Sequence, residues 1–221
     1  MSGPAAPGLT GKIPAGQIQI REYFPTVVLV GSIAGAERLN AALSALILAR
    51  AAADPGTAHS NLGGWQSSWD FDGWGGPAWA EVIGEVRQVI DRFTSDRAGR
   101  PVRPPWKRNA WANVNRSGHG NEFHTHPGAF WSGVYYVQDG GAADDPALGG
   151  ELELADPRGV APAMYAPALC IATPSSLSMG ASELIGPRAG MFVLFPSFLS
   201  HGVRPYRGTR TRISIAFNFN L

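Results

Sequence analysis

Residues 124–137 read His124-Thr-His-Pro-Gly-Ala-Phe-Trp-Ser-Gly-Val-Tyr-Tyr-Val137. A Pro-Gly turn separates a His-x-His pair from a run, 131–137, that is rich in aromatic and β-branched residues, and such a run favours a β-strand. In a strand, residues i and i+2 point to the same face, so the imidazoles of His124 and His126 can converge on one ion. The stretch therefore predicts a β-strand protein with a candidate metal site.

Short runs of the same kind fill the chain after Gly99, separated by turns rich in Gly, Pro and Asp. Strands are predicted at 111–115, 131–137, 151–154, 169–172, 191–195 and 212–220. This spacing is typical of an antiparallel sandwich or jelly roll. We expect a mainly β fold, an antiparallel sandwich or a cupin-like jelly roll, in the C-terminal two-thirds of the chain.

The segment before Gly99 has a different pattern. Residues 26–30 predict a strand, and Ser32 is a candidate helix cap. Two apolar stripes with helical spacing follow, and Pro77 suits the first turn of the second helix. The stripes are Leu39, Leu43, Leu46 and Ile47, then Trp79, Val82, Ile83, Val86, Val89, Ile90 and Phe93.

We therefore predict a flexible tail over residues 1–16 and a single domain over 17–221. Helices lie mainly within 34–96 and flank a β-rich part at 100–221. Residues 60–70 are expected to form a loop because they carry two adjacent glycines and no period in their apolar residues.

Composition excludes several function classes. The chain has 221 residues, of which 44% are hydrophobic, and its net charge of +1 gives no basic excess for nucleic acid. One cysteine, Cys170, excludes an intramolecular disulfide and a multi-cysteine zinc site, and it is expected to be a small buried hydrophobe. Without a signal-like leader or a membrane-length apolar run, we expect a cytoplasmic protein without membrane contact.

A third histidine completes the candidate metal site. His201 follows His126 by 75 residues, and in a jelly roll a distant strand returns beside an earlier one. Three imidazoles suit Fe(II), Zn, Ni or Cu, and spacing does not choose among them. The alternative is two surface histidines and one buried, hydrogen-bonded histidine.

Four blocks together resemble a known family. They are residues 124–137; Gly149-Gly-Glu-Leu-Glu-Leu-Ala-Asp-Pro-Arg158; Phe195-Pro-Ser, leading to His201; and Arg212-Ile-Ser-Ile-Ala-Phe-Asn218. Their order resembles that of the 2-oxoglutarate/Fe(II)-dependent oxygenases, specifically a small bacterial family with a His-x-His-Pro-Gly and Ser-Gly-Val-Tyr-Tyr block. The loop at 60–67 is also similar, so the resemblance runs from about residue 24 to 221.

The resemblance implies a double-stranded β-helix that holds iron at its open end. His124 matches the first ligand of the superfamily, His201 the distal ligand, and His126 the position where a carboxylate is usual. Two alternatives follow from this departure. Either the site has three histidine ligands, which we favour, or two histidines bind with another group, and Glu122 is the nearest spare carboxylate.

The resemblance also implies a binding site for the cosubstrate, 2-oxoglutarate. A guanidinium can bind its distal carboxylate in a bidentate manner. Arg210 and Arg212 are the candidates, and the Arg-x-Ser pattern with Ser214 favours Arg212. Ser132 and Tyr136 would line the same pocket, and Tyr135 would face away.

Further polar and aromatic residues have more than one interpretation. Asn113 and Asn115 could contact cosubstrate or substrate, or cap turns. Tryptophans in the glycine-rich loop could line a substrate mouth or belong to the core; they are Trp65, Trp69 and Trp74.

The function that the resemblance implies is an Fe(II)- and 2-oxoglutarate-dependent hydroxylase acting on a small molecule or a peptide, in a chain that could form a homodimer. Two alternatives stay open at this point. One is a three-histidine cupin-type dioxygenase that needs no 2-oxoglutarate and hence no arginine clamp. The other is a non-catalytic metal- or ligand-binding barrel, which needs no open metal positions.

Overall fold

The computed structural model describes residues 24–159, 164–170 and 182–221, so the predicted tail at 1–16 lies outside the described residues. Among the described residues, no helix is both long and apolar enough to cross a membrane. The helices are α1 (Ala36–Ala53), α2 (Phe71–Trp74), α3 (Gly76–Arg92) and a short 3-10 helix (Pro146–Leu148).

The strands of the described residues are β1 (Leu29–Ser32), β2 (Asn61–Leu62), β3 (Trp65–Gln66), β4 (Lys107–Asn115), β5 (Gly120–His124), β6 (Trp131–Asp139), β7 (Leu152–Ala155), β8 (Ser182–Ile185), β9 (Met191–Pro196), β10 (His201–Val203) and β11 (Arg212–Asn220). They form a six-stranded sheet in the order β1-β9-β6-β11-β4-β3 and a five-stranded sheet in the order β2-β5-β10-β7-β8. From β4 onward the chain alternates between the sheets, apart from the β7–β8 hairpin. This is the predicted jelly roll, a double-stranded β-helix with flanking helices.

Side chains of the six-stranded sheet alternate between its two faces with a period of two. Both faces carry apolar side chains, which belong to two separate clusters. One face packs against α1 and α3 around Leu43, Trp79, Tyr135 and Phe217. The other face points between the sheets and contributes Tyr136 to a smaller core. The helices therefore stabilise the sheet from outside and leave the space between the sheets for a site.

The predicted helices are confirmed, with corrections at their ends. Ser32 belongs to β1 and does not cap α1; the N-cap position is Gly35, whose φ of 64° suits a residue without Cβ. Phe93 was predicted to be buried with the stripe of α3, but it lies just past the last turn and is 52% exposed.

Most predicted strands are present, and four corrections follow. The first strand begins at Leu29 instead of Thr26. The expected loop at 60–70 contains β2 and β3, which pair with β5 and β4. Leu169 and Cys170 belong to no strand, and the rest of the strand predicted at 169–172 lies outside the described residues. Cys170 is exposed, so the prediction of a buried residue is wrong. The reason is that Cys170 lies outside the strands that form the core.

Candidate active site

Three histidines meet where the ends of two strands come together. His124 ends β5 and His201 begins β10, and the two lie opposite each other in the ladder. His126 lies two residues past β5, where its backbone N–H donates to the carbonyl of Ser197 at 3.0 Å. The candidate ligand atoms of the three side chains all lie within 4.8 Å of one another. The predicted convergence is present, although a turn, and not strand parity, directs His126.

Backbone carbonyls orient two of the rings. The Nδ1 atom of His124 lies 2.8 Å from the carbonyl oxygen of Glu122, and that of His201 lies 2.9 Å from the carbonyl of Leu199. Because a carbonyl oxygen only accepts, Nδ1 carries the proton in both rings and Nε2 keeps a free lone pair. This is the tautomer that a metal ligand needs.

The environment keeps two histidines of the cluster, His126 and His201, neutral. Burial, with the charges of His201 and His124, lowers the pKa of His126 from its usual 6.5 to about 3. Burial is also the main cause that lowers the pKa of His201 to about 4. Both imidazoles are therefore unprotonated at neutral pH, as metal binding requires.

A β-bulge sets which residues of β5 face inward. His124 lies opposite His201, and Asn121 lies opposite Val203. Between these two pairs β5 has two residues and β10 has one, so β5 contains a β-bulge. The extra residue leaves Glu122 exposed. Its carboxylate is not part of the histidine cluster, so the alternative with Glu122 as a ligand has no support in this geometry.

The cluster lies in a cavity that is open to solvent. The lining is mainly apolar and neutral polar: Ser60, Trp111, Asn113, Asn121, His124, His126, Gly133, Val134, Tyr136, Leu152, Phe195, His201, Val203, Arg212, Ser214 and Ala216. Among these described residues, Arg212 is the only permanently charged side chain.

Arg212 is a buried cation without a carboxylate partner among the described residues. It is 2% exposed and donates to the carbonyl of Gly150 at 3.1 Å and to Oδ1 of Asn115 at 3.4 Å, while its Nε has no partner there. Burial lowers its pKa. Burying a charge without a counterion is costly, so the cavity is suited to an anionic ligand.

Within the part of the chain that the structure describes, the hydroxyl of Tyr136 is a second buried group of the cavity that makes no hydrogen bond of good geometry. The guanidinium carbon of Arg212 lies 5.3 Å from the centroid of the Tyr136 ring. Burial raises the pKa of the Tyr136 hydroxyl, so it stays protonated and can donate a hydrogen bond. Ser214, level with Tyr136 in the ladder, also lines the cavity.

Other predicted positions lie elsewhere. The hydroxyl of Ser132 donates to Oδ1 of Asn218 at 2.7 Å, and Ser132 does not line the cavity. Arg210 precedes β11 and lies 4.0 Å from the exposed Asp144. Tyr135 faces the helices and donates to Oδ1 of Asn40 at 2.6 Å.

Two asparagines and one tryptophan belong to the site. Asn113 lines the cavity and Asn115 contacts Arg212, so the interpretation as site residues fits both better than turn capping. Of the loop tryptophans, Trp69 lies against a residue of the cavity wall, Trp111. By contrast, Trp65 and Trp74 are engaged elsewhere, with the carbonyl of Asp54 and the carboxylate of Asp70.

Sequence reasoning missed Ser60, Asn121 and Trp111. The inward direction of Asn121 depends on the bulge in β5, which no local pattern announces. Ser60 reaches the cavity because β2 pairs with β5, and the oxygen of its hydroxyl accepts from Asn121 at 3.3 Å. Trp111 was assigned only to a strand, although its alternation with Asn113 and Asn115 on β4 was a usable signal.

Comparison with solved structures shows a shared fold. A prolyl-4-hydroxylase from Pseudomonas putida is 16% identical, with 87% of this chain and 91% of that chain covered and a TM-score of 0.57. A prolyl hydroxylase from Trichoplax adhaerens in complex with a peptide fragment is 15% identical, with 87% and 83% covered and a TM-score of 0.59. HygX from Streptomyces hygroscopicus, with nickel and 2-oxoglutarate bound, is 13% identical, with 88% and 83% covered and a TM-score of 0.53.

The sequence itself matches a family model. Residues 109–218 match the family described as "Putative 2OG-Fe(II) oxygenase", and no curated protein matches. The matched segment contains the three histidines and Arg212. The imidazole cluster suits Fe(II), and the guanidinium, which has no carboxylate partner among the described residues, suits a dicarboxylate, as the two cofactors of that family require. The chain belongs to the 2OG-Fe(II) oxygenase family, and it is an enzyme that uses Fe(II) and 2-oxoglutarate.

Proposed function

We propose that His124, His126 and His201 hold the iron, and that the enzyme hydroxylates a small molecule or a peptide side chain. The observation that carries the proposal is one cavity with a neutral imidazole cluster and a buried arginine that lacks a carboxylate partner among the described residues. A facial set of three protein ligands leaves metal positions open for cosubstrate and dioxygen. A closed structural site would not.

Arg212 anchors the distal carboxylate of 2-oxoglutarate in this proposal. The unpartnered Nε of Arg212 and hydroxyl of Tyr136 supply two donors, and Ser214 supplies a third from the neighbouring position of the same sheet. Ser132 is left out of this set because its hydroxyl is engaged with Asn218. A bidentate guanidinium contact fixes direction as well as affinity, so the 2-oxo acid end points toward the histidines.

The residues of the chain position and protect the reaction. When bound, iron and 2-oxoglutarate supply an oxidant from dioxygen that breaks a C–H bond of the substrate, while 2-oxoglutarate becomes succinate and carbon dioxide. The carbonyls of Glu122 and Leu199 hold two imidazoles in the ligating tautomer. Val134, Leu152 and Phe195 line the cavity with apolar surface and limit water near the reacting centre.

The arginine clamp favours the oxygenase over the other two functions. A three-histidine cupin-type dioxygenase that does not use 2-oxoglutarate has no need of a buried guanidinium, and a non-catalytic barrel has no need of open metal positions. A cytoplasmic location and a homodimer stay predictions from the sequence.

Anaerobic titration tests the proposal. Fe(II) and 2-oxoglutarate added together should produce a metal-to-ligand charge-transfer band that neither produces alone, and a substrate screen with dioxygen should then release succinate. Protein that binds Fe(II) but never gives the band with 2-oxoglutarate would overturn the assignment and favour the cupin alternative.

A further inference from the structure

Four aromatic rings lead from the metal cluster to the surface. The ring of His126 lies 5.6 Å from Trp111, Trp111 lies 6.1 Å from Trp69, and Trp69 lies 4.9 Å from His59, measured between ring centroids. Trp111 is 7% exposed and lines the cavity, whereas Trp69 is 53% exposed. We call Trp69 and Trp111 the aromatic wall.

The backbone fixes the position of the wall. The N–H of Ser67 donates to the carbonyl of Ala112 at 2.9 Å, and the N–H of Ala112 donates to Oγ of Ser67 at 3.0 Å. Asp70 forms a further bridge with Ala110. These contacts on both sides of Trp69 hold it opposite Trp111, which precedes Ala112 on β4. A half-exposed tryptophan held by hydrogen bonds on each side is a preformed binding surface, since an ordered aromatic ring loses little entropy on binding.

The charges of the cavity restrict what can bind there. Arg212 is the only permanently charged side chain among the described lining residues, and the proposed function commits it to 2-oxoglutarate. Fe(II) and the 2-oxoglutarate dianion cancel, and three neutral imidazoles add no charge, so the loaded site carries the single positive charge of Arg212. This charge repels a cation. It attracts an anion, but the guanidinium is already committed to 2-oxoglutarate, so no free charged donor repays the loss of water that an anion suffers on entry.

We propose that the prime substrate presents a neutral, ring-bearing group, which stacks against the aromatic wall and is thereby positioned beside the iron. This inference rests on the proposed function, because the charge balance assumes bound Fe(II) and 2-oxoglutarate. Trp69 is a specificity-determining residue: it contacts the ring of the substrate and takes no part in metal or cosubstrate binding.

Binding of three matched probes tests the proposal. Benzamide, benzoate and benzamidinium share one ring and differ in charge, and each is titrated calorimetrically into the anaerobic protein loaded with Fe(II) and 2-oxoglutarate. We expect benzamide to bind most tightly. Tighter binding of benzamidinium or benzoate, or no binding of benzamide, would overturn the proposal.

Variants distinguish the contribution of the aromatic wall to binding from a general effect of substitution on the structure. Trp69→Ala should weaken benzamide about tenfold, the order expected for one lost aromatic contact, and Trp69→Phe should restore most of the affinity. Phe93→Ala is the matched control because Phe93 is equally exposed, at 52%, but lies at the end of α3. It should change benzamide affinity less than twofold. Unchanged affinity in Trp69→Ala contradicts the role of the wall.

The charge-transfer band keeps the two proposals apart. If the wild-type protein lacks the band, the proposed function is wrong. Protein that shows the band, in wild type and in Trp69→Ala alike, but does not prefer benzamide overturns the substrate inference alone.

Discussion

His124 and His201 lie directly opposite each other on neighbouring antiparallel strands, and each ring uses Nδ1 to bind a carbonyl two residues earlier in its own chain segment. The pairing brings the ring centroids to 4.4 Å. Each imidazole is thus oriented locally, while the sheet brings the two together. This division of roles explains how residues 77 positions apart form one preorganised pair.

His126→Ala should abolish most iron binding while the protein stays folded. Removing one of three ligands should cost more than the 10- to 100-fold typical of an outer-shell partner, so we expect at least about a 100-fold loss of Fe(II) affinity. His119→Asn is a suitable control because His119 lies outside the cluster and its Nδ1 only accepts a backbone N–H, which an amide oxygen can replace. Full Fe(II) affinity in His126→Ala, measured by anaerobic titration, would require a carboxylate ligand instead.

The metal-free protein should lose stability as the pH falls. The folded-state pKa values of His126 and His201, about 3 and about 4, lie below the ordinary value of 6.5. The unfolded chain therefore binds more protons below pH 6.5, and this contribution to stability is present in full above that pH. With up to two extra protons, the free energy of unfolding should fall by at most about 2.7 kcal/mol per pH unit between pH 6.5 and 4.

Urea unfolding of the metal-free protein at several pH values measures this slope. His126→Gln and His201→Gln should each reduce it by about half, because each removes one titrating group. A stability that does not change between pH 7 and 5 would show that the cluster is solvated enough to protonate in the folded state.

Arg212→Ala should separate cosubstrate binding from metal binding. Truncating one partner of a buried charge pair costs about 2–5 kcal/mol, which corresponds to about 30- to 3000-fold weaker 2-oxoglutarate. Fe(II) affinity should stay nearly unchanged, since Arg212 is not part of the histidine cluster. Arg212→Lys should restore affinity only in part because an ammonium cannot form the bidentate contact.

Arg210→Ala is the matched control for Arg212. The exposed Arg210 lies 4.0 Å from Asp144 and donates to the carbonyl of Gly140, and it does not line the cavity. A surface ion pair contributes about 0–1 kcal/mol. Titration of 2-oxoglutarate at a fixed Fe(II) load compares the variants. Reversed effects of the two substitutions would assign the clamp to Arg210.

Tyr136→Phe should weaken 2-oxoglutarate without destabilising the protein. Among the described residues, the Tyr136 hydroxyl makes no hydrogen bond of good geometry and interacts with the guanidinium of Arg212, so its removal should change the stability of the free enzyme little. A hydrogen bond to a charged ligand contributes about 1.5–3 kcal/mol, so the affinity should fall about 10- to 100-fold.

Tyr135→Phe provides the reverse pattern. Its hydroxyl donates to Asn40 on the helix side of the sheet, so the free energy of unfolding should fall by about 1 kcal/mol while 2-oxoglutarate affinity stays the same. Both variants are compared by urea unfolding and by titration. Equal losses of stability in the two variants would mean that the Tyr136 hydroxyl has a structural role.

Local sequence patterns were enough to predict the β-rich class, both long helices and the His-x-His pair, because strand and helix periods and Pro-Gly turns are local properties. It also indicated Arg212, through resemblance and spacing. Its errors lie where local propensity is weak: Ser32 belongs to β1, Phe93 is exposed, and the segment that was expected to be a loop contains β2 and β3.

Which side chains meet in the site depends on contacts between distant parts of the chain. The bulge in β5 turns Asn121 inward and leaves Glu122 exposed, and the placement of β2 beside β5 brings Ser60 to the cavity. The packed sheets bury the Nε of Arg212 and the hydroxyl of Tyr136, and neither atom has a hydrogen-bond partner of good geometry among the described residues. These features depend on strand register and on burial, which arise from contacts between distant parts of the chain and leave no periodic signal in the sequence.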